Sequence, residues 1–382
     1  MGNVNNNKIT IGVDASRAFS DFRTGTENYS YQIIKSFANS ESPYNFKLYT
    51  RTDSTQEYGE IFSREGFFGK KIAFPVMWTQ GGLALETWVS PPDLLFVPAH
   101  VIPFLKNIAV PTIVVVHDIR TEFLPHHNDW RQKLYLNPLI ERIRAGLATH
   151  IIAVSQSTKN DIVKELRVDP DKVSVVYEGV DRNRFSPDLR ANVQSSGAIK
   201  ERYGLKKPYL LFVGTVQPRK NLERLIEACS QVPIITSGQI DVVIVGKKGW
   251  LAEDIYTAPA RFGIESQVKF LDYVNDDDLP YLYANAQSFV FPSLYEGFGL
   301  PVLEALSVGV PVVTSQISSL PEVGGDLALY VDPFDTSSIA QGIIESLGLT
   351  LDEEKINSHL QKFTWSEAGR KTLEIIDKVI QR

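Results

Sequence analysis

The chain has 382 residues, a net charge of −6, and is 43% hydrophobic and 22% charged. That length exceeds one ordinary core and suits two domains. The composition excludes a disordered or low-complexity chain, and the acidic balance disfavours a nucleic-acid partner while leaving room for a local basic pocket. The single cysteine, Cys229, excludes an internal disulfide. It follows Leu225 and Ile226 in an apolar helical pattern and reads as a small core residue, compatible with a cytoplasmic chain.

Residues 1–7 are polar and asparagine-rich, without the basic and apolar regions of a secretory signal. Position 6 is Asn6, which does not support myristoylation of Gly2. The longest apolar stretches, such as 113–116, are strand-length and far from the roughly 20 residues of a membrane span. In chain order, β-branched runs predict strands at 9–13, 46–49, 94–97, 112–116, 151–154 and 173–176. Helical patterns alternate with them at 29–37, 133–147 and 158–166. From 178 to 208 the sequence turns polar and broken, which reads as an interdomain connection with one short helix. A second series follows, with strands at 209–213, 242–245, 268–270, 289–291, 310–313 and 329–331. Its helices fall at 222–229, 279–286, 302–307 and 339–347, and a last helix at about 366–380 closes the chain.

This alternation predicts an α/β protein of two Rossmann-like, doubly wound domains. The expected division is an N-terminal domain at 1–185, a linker at 186–207, a C-terminal nucleotide-binding domain at 208–362, and a helix at 363–382 packing back toward the N-terminal domain. Two such domains facing a central cleft would bind ligands at the carboxyl ends of their strands.

Residues 292–304 read PSLYEGFGLPVLE. A strand ends, a turn with Gly297 and Gly299 lets the backbone approach a ligand, and a helix starts near Pro301. The new helix aims free N–H groups and its positive dipole end outward, which suits an anion. Glu296 and Glu304 bracket this turn with seven residues between them. One carboxylate near a sugar and one near a ribose, with a helix start between them for a diphosphate, would bind a nucleotide sugar. A helix-start acid satisfying its own dipole is the plainer reading for Glu304 taken alone.

This segment resembles the Glu-x7-Glu motif of retaining GT-B glycosyltransferases, family four. The likeness runs from about 208 to 334 and includes GVPVVTSQISSLPEVGG. It implies that Glu296 lies by the donor sugar, that Glu304 binds the nucleotide ribose, and that the backbone of Phe298, Gly299 and Leu300 contacts the donor. The segment VGTVQPRKN at 213–221 is similar to the family's phosphate loop. Fixed cations there, Arg219 and Lys220, would stabilise a diphosphate that gains charge as the glycosidic bond breaks. Some members carry arginine where this chain has Thr215, which throws more of that task onto the remaining pair. By the same resemblance Gly246, in GKKGW, lies near the nucleotide, and Tyr273 and Val274 lie by the base. Lys247 and Lys248 are as readily solvent-facing.

In the first half, TIVVVHD places His117 at the end of a strand. A lone histidine is more often structural, but the His-Asp pair is similar to the family feature in which histidine touches the donor sugar. Thr24, Gly25 and Thr26 resemble the family's glycine loop, where a bulkier residue would meet the donor. The aromatic and lysine-rich stretch at 67–88 admits an acceptor groove, a peripheral membrane contact or a packed helix pair.

The run Asp276–Asp278 precedes a helical pattern and reads as dipole capping rather than a metal site. His126 and His127 lack companions at zinc-ligand spacing, and no Gly-x-Gly-x-x-Gly, Walker loop or Gly-x-Ser-x-Gly elbow occurs. The resemblance therefore implies a retaining, metal-independent hexosyltransferase without cofactor. Its texture is similar to subgroups that use GDP-mannose, with UDP-sugars open as the alternative donors, acting on a glycan or lipid-linked acceptor in the cytoplasm or at the inner membrane face. A sugar-nucleotide epimerase on the same fold and a non-catalytic nucleotide-sugar-binding module remain open alternatives.

Overall fold

A computed structural model describes residues 8–19, 25–52, 58–74, 77–99, 101–119 and 138–381. Thr24, His126, His127, residues 1–7 and the start of the helix expected at 133–147 lie outside the described residues. The chain divides into two compact units. The first holds seven parallel strands: β1 (Thr10–Asp14), β2 (Asn45–Thr50), β3 (Phe67–Lys71), β4 (Leu94–Val97), β5 (Thr112–Val116), β6 (His150–Ala153) and β7 (Val173–Val175). Their order across the sheet is β3-β2-β1-β4-β5-β6-β7. The second holds β8 (Tyr209–Val213), β9 (Asp241–Val245), β10 (Val268–Leu271), β11 (Ser288–Phe291), β12 (Val312–Ser315) and β13 (Ala328–Val331), in the order β10-β9-β8-β11-β12-β13.

Both sheets are parallel throughout. Parallel strands are covered on both faces, so the central ones are mostly apolar: every residue of β4, β5, β9 and β11 is buried. In the first unit Leu95, Val97, Val114, Val116, Ile151 and Ala153 belong to one core. In the second, Phe291 stacks between Phe212 at 5.5 Å and Phe289 at 5.6 Å. Each order reverses once, between β1 and β4 in one sheet and between β8 and β11 in the other. At such a point the connections leave the sheet in opposite directions and open a crevice beyond the carboxyl ends.

Four segments differ from the sequence expectation. The stretch at 67–88 is not a helix pair: it begins as edge strand β3, continues through a wide π-type turn at Thr79–Leu83 and ends in the helix Ala84–Val89. Residues 186–207 lie within the second unit. Pro187–Ala191 forms a 3-10 turn, and the helix Val193–Arg202 packs on the helix Leu279–Ala284. Arg190 Nε donates to the Ala284 carbonyl at 2.9 Å, and Asn285 Nδ2 to Ser196 Oγ at 3.0 Å. The helices Glu253–Arg261 and Glu353–Leu360 were not expected from the pattern. The last helix, Trp365–Ile380, lies in the first unit along Gly25–Ala38, where Trp365 meets the Tyr29 ring at 5.7 Å and Asp377 accepts from Tyr44 at 2.5 Å. Among the described residues no helix is long and apolar enough to cross a membrane.

The carboxyl ends of β8 and β9 cross closely. Gly214 N–H donates to the Val245 carbonyl at 2.8 Å, and Gly246 takes φ +147°. A Cβ at position 246 would stand 2.0 Å from the Gly214 carbonyl oxygen. No side chain fits without moving one of the two main chains. Gly246→Ala is therefore expected to destabilise the second unit by about 3 kcal/mol or more, read as a lower urea midpoint. A midpoint within error of the parent would show that this crossing yields easily.

Candidate functional site

The loops that leave β8 and β11, the two strands flanking the reversal, carry the charged residues singled out in the sequence. After β8 the chain makes a 3-10 turn at Pro218–Lys220 and then places Asn221 in the left-handed region at φ 59° before the helix Leu222–Cys229. Asparagine tolerates that conformation better than most side chains. Its Nδ2 donates to the Pro292 carbonyl at 3.0 Å and the Pro333 carbonyl at 2.7 Å, stapling the loops after β8, β11 and β13. Leu294 N–H also donates to the Arg219 carbonyl at 2.9 Å, a main-chain bond across the reversal.

Glu296 sits on the loop after β11 and is buried. Lys220 Nζ donates to its Oε1 at 2.6 Å and Arg219 Nη1 to its Oε2 at 3.2 Å. Arg219 Nη1 also donates to the Tyr295 carbonyl at 2.6 Å, and Lys220 Nζ stands 4.8 Å above the Phe291 ring. Burial pushes the Glu296 pKa up, but the two cations outweigh it and hold the carboxyl below its ordinary value. The sequence singled out all three residues. Their mutual pairing, across 76 and 77 positions, is what the structure adds.

The main chain between Glu296 and the next helix is clamped by two serines that sequence reading did not assign. Ser318, in the left-handed region at φ 63°, accepts from Glu296 N–H at 3.0 Å and donates back to the Glu296 carbonyl. Ser319 Oγ lies within hydrogen-bond distance of the Glu296 carbonyl at 2.9 Å and the Phe298 carbonyl at 2.5 Å, its one proton serving either. Phe298 is buried, and Gly299 takes φ +119° as the residue before the helix Leu300–Ser307, with Pro301 in its first turn. Its N-cap residue, Gly299, has no side chain with which to cap that helix start.

Glu304 lies on this helix rather than in its first turn, and is partly accessible. Its Oε2 accepts from the Tyr283 hydroxyl at 2.8 Å. Burial pushes its pKa up, opposed by the Tyr283 hydrogen bond and by Arg184, and reinforced by Asp276. Glu296 and Glu304 are thus perturbed in opposite directions. Thr215 and Gly246 stand at the neighbouring ends of β8 and β9, and Val274 is buried beyond β10 beside exposed Tyr273. Lys248 pairs on the surface with Glu253 at 2.9 Å, while Lys247 is exposed.

The aspartate run does not cap through its side chains. Asp278 occupies the N-cap position of Leu279–Ala284 but makes no cap hydrogen bond; it accepts instead from Arg202 Nη1 at 2.5 Å and the Tyr203 hydroxyl at 2.8 Å. A guanidinium within reach offers a carboxylate a stronger, charge-assisted bond than a backbone N–H does.

In the first unit His117 follows β5 and is buried. Its Nε2 lies 3.0 Å from the Pro98 carbonyl, an acceptor only, so this nitrogen carries a proton. Its Nδ1 lies 3.0 Å from Glu178 Oε1, and the ring meets Tyr29 edge-on at 4.7 Å. Burial pulls the His117 pKa down, but Glu178 and the Pro98 carbonyl more than offset it and the net shift is upward. Glu178 was read in the sequence only as the start of a polar connection; no local pattern ties it to a histidine 61 positions away. Gly25 lies in the helix Gly25–Ala38 rather than in a loop, and among the described residues a Cβ there would meet nothing within 4 Å.

The opposite shifts of the two glutamates have opposite pH signatures. Glu296, with its folded pKa lowered, stabilises above the ordinary carboxylate range and loses that contribution as pH falls through its folded value. Glu304, with its folded pKa raised, loses stability as pH rises through its folded value. Urea unfolding from about pH 3 to 7 should therefore show Glu296→Gln less stable than the parent by about 3 kcal/mol at neutral pH, with the gap closing in acid. Glu304→Gln should instead gain on the parent as pH rises. Parallel curves for all three proteins would contradict the charge assignments.

Two family models match the chain. The model for Glycosyltransferase Family 4 matches residues 23–184 and that for Glycosyl transferases group 1 matches 197–362. The chain is 34% identical over 236 residues to O-antigen chain mannosyltransferase B of Escherichia coli, covering 62% of this chain and 61% of that protein. It is 30% identical to the serotype-specific mannosyltransferase WbdA of the same species, covering 72% of this chain but only 34% of the relative. The chain thus spans less than two thirds of each of these relatives. The crystal structure of Anabaena Alr3699/HepE in complex with UDP and glucose superposes with a TM-score of 0.71 over 97% of this chain and 100% of the other, at 17% identity. With two parallel units of the GT-B type and both family models matched, the chain belongs to the family-four, group-1 glycosyltransferases.

Proposed function

We propose that this chain is a retaining, metal-independent hexosyltransferase that moves mannose from GDP-mannose onto a hydroxyl of a glycan or lipid-linked acceptor. The observation that carries the nucleotide-sugar reading is the ion cluster at the sheet reversal: two cations on one carboxylate, beside a helix start whose N-cap is a glycine. Arg219, Lys220 and the first N–H groups of Leu300–Ser307 suit a diphosphate, and Glu304 suits a ribose. The mannosyl relatives favour the sugar, and are mannosyltransferases by name.

In the proposed reaction the bond from the sugar's anomeric carbon to the diphosphate oxygen breaks first. The charge that builds on the leaving oxygen is met by Arg219 and Lys220. The acceptor oxygen attacks from the face the diphosphate vacates, and its proton passes to a leaving phosphate oxygen. Glu296 does not serve as nucleophile in this scheme: each of its oxygens is engaged by a cation, and its lowered pKa makes it a weak base. Its task is to hold the cations and orient the sugar. On the first unit, His117 and Gly25 are the proposed donor contacts. Among the described residues nothing stands within 4 Å of a Cβ at Gly25.

Thermal shifts with GDP, UDP and ADP, each with and without a chelator, test this reading. GDP at about 100 times its Kd should add roughly 2.7 kcal/mol of stability, unchanged by the chelator, and Glu304→Ala should remove most of it. A shift lost on chelation would overturn metal independence, and a preference for UDP would overturn the donor. Gly25→Trp should leave the fold intact and lower transfer at least tenfold. Product configuration by NMR, compared with that of the donor, tests retention.

Membrane contact belongs to the same proposal. Leu85, Trp88, Val89, Phe104, Leu105 and Ile108 are each more than half exposed, and Trp88 Nε1 donates to the Leu105 carbonyl at 2.9 Å, joining the helix Ala84–Val89 to the loop beyond β4. Lys70 and Lys71 are exposed on edge strand β3 of the same unit, in a chain of net charge −6. Apolar side chains with lysines suit an anionic lipid surface. The protein should float with phosphatidylglycerol vesicles, and Trp88→Ser with Leu105→Ser should abolish flotation without lowering the melting temperature by more than a few degrees. Equal flotation of parent and variant would remove this surface from the proposal.

A further inference from the structure

Tyr283 is outside every motif read from the sequence, yet its hydroxyl meets one of the two glutamates on which the donor site is built. It lies on the helix Leu279–Ala284, fully buried, with its ring edge-on to Phe185 at 5.7 Å and tilted on Phe289 at 5.2 Å. That helix is itself tied down: the Tyr209 hydroxyl donates to the Leu282 carbonyl at 2.8 Å. The ring therefore has little freedom, and the hydroxyl arrives at Glu304 Oε2 at 2.8 Å from a fixed direction. Among the described residues no hydrogen bond reaches Oε1 of Glu304.

An ionised carboxylate is acceptor-only, so Tyr283 is the donor in this pair. A carboxylate held at one oxygen by a rigid phenol cannot rotate about its terminal torsion without losing that bond. Its second oxygen then keeps one orientation. A ribose offers two neighbouring hydroxyl donors, and their recognition depends on an acceptor whose lone pairs are already aimed.

We propose that Tyr283 is a positioning residue for nucleoside recognition: it holds Glu304 Oε2 so that Oε1 is presented to the ribose hydroxyls, and thereby sets the preference for ribonucleotides over deoxyribonucleotides. The inference rests on the reading above that Glu304 meets the ribose. The same hydrogen bond favours the ionised form of Glu304 against its burial. The charged groups that act on Glu304 from neighbouring segments are Arg184, which also donates to the Asp276 carbonyl at 2.5 Å, and Asp276 itself. Arg184 favours the ionised carboxylate and Asp276 opposes it, so the Tyr283 bond weighs in on the side of ionisation.

The test is calorimetric binding of GDP and of 2′,3′-dideoxy-GDP to the full chain, across pH, for the parent, Tyr283→Phe and Glu304→Ala. The parent should prefer GDP, and Glu304→Ala should erase that preference; if the parent shows none, or Glu304→Ala retains it, the ribose assignment of Glu304 falls and this inference with it. Given that preference, Tyr283→Phe should weaken GDP roughly tenfold, as expected for a hydrogen bond to a charged group. Binding of dideoxy-GDP should stay within about twofold of the parent, which also reports that the site is folded. Because removing the hydroxyl disfavours ionised Glu304, the acid limb of GDP affinity should move to higher pH in Tyr283→Phe. If Tyr283→Phe instead keeps the parent's preference and pH limb, or weakens both nucleotides equally, the tyrosine is a packing residue and the inference is overturned while the role of Glu304 stands.

Discussion

The contact on which the second unit's site depends is the pairing of one buried carboxylate, Glu296, with two cations from a loop more than seventy positions earlier. Taking three charges out of water is a poor way to gain stability, because desolvation offsets most of the Coulomb attraction. What the cluster provides is geometry. It fixes the loop after β8 against the loop after β11 where the strand order reverses, so the crevice that any doubly wound sheet opens there is lined by charges with set positions. Two cations against one carboxylate also bias that crevice toward an anion before any ligand arrives.

Several local devices serve that pairing. Asn221 accepts a left-handed backbone and spends its amide on the carbonyls of Pro292 and Pro333, so Lys220 leaves a turn that cannot swing. Ser318 and Ser319 bind the main chain of Glu296 and Phe298, so the carboxylate is aimed by its backbone as well as by its cations. Gly246 lets the ends of β8 and β9 approach to a distance that no Cβ at that position allows. Each device holds main chain rather than side chain, as a site made partly of backbone N–H groups requires.

The strands were legible because parallel, doubly covered strands are near-continuous apolar runs, and TIVVV, DVVIV and SFVF each carry one after a single polar residue. Edge strand β3 obeys no such constraint. FFGKK is exposed along nearly its whole length, so its residues carry no burial pattern to read. The helix Glu253–Arg261 hid behind Pro259, which would ordinarily end a helical pattern. The segment from Glu178 to Pro208 read as linker because its surface is polar, although Phe185 and Ile199 are buried within it. Glu296, Glu304, Arg219 and Lys220 were legible as motif residues. Glu178 beneath His117 and Tyr283 beside Glu304 were not, since a buried acid or phenol acquires its meaning from tertiary neighbours that spacing does not encode.

The two glutamates show how the same residue type, eight positions apart, is made to do different work. Glu296 lies among cations, so its negative charge is stabilised and its proton affinity suppressed. A carboxylate so held is a weak base. Glu304 lies one helical turn into Leu300–Ser307, away from that cluster, where desolvation outweighs a tyrosine's hydrogen bond and a distant arginine. Its charge is less secure, and its accepting power depends on the groups around it. Environments that push like groups apart assign them separate roles. Here one member pairs with two cations and the other accepts from a buried phenol, so a single loop and helix carry two carboxylates, each held by its own partners, in opposed electrostatic environments.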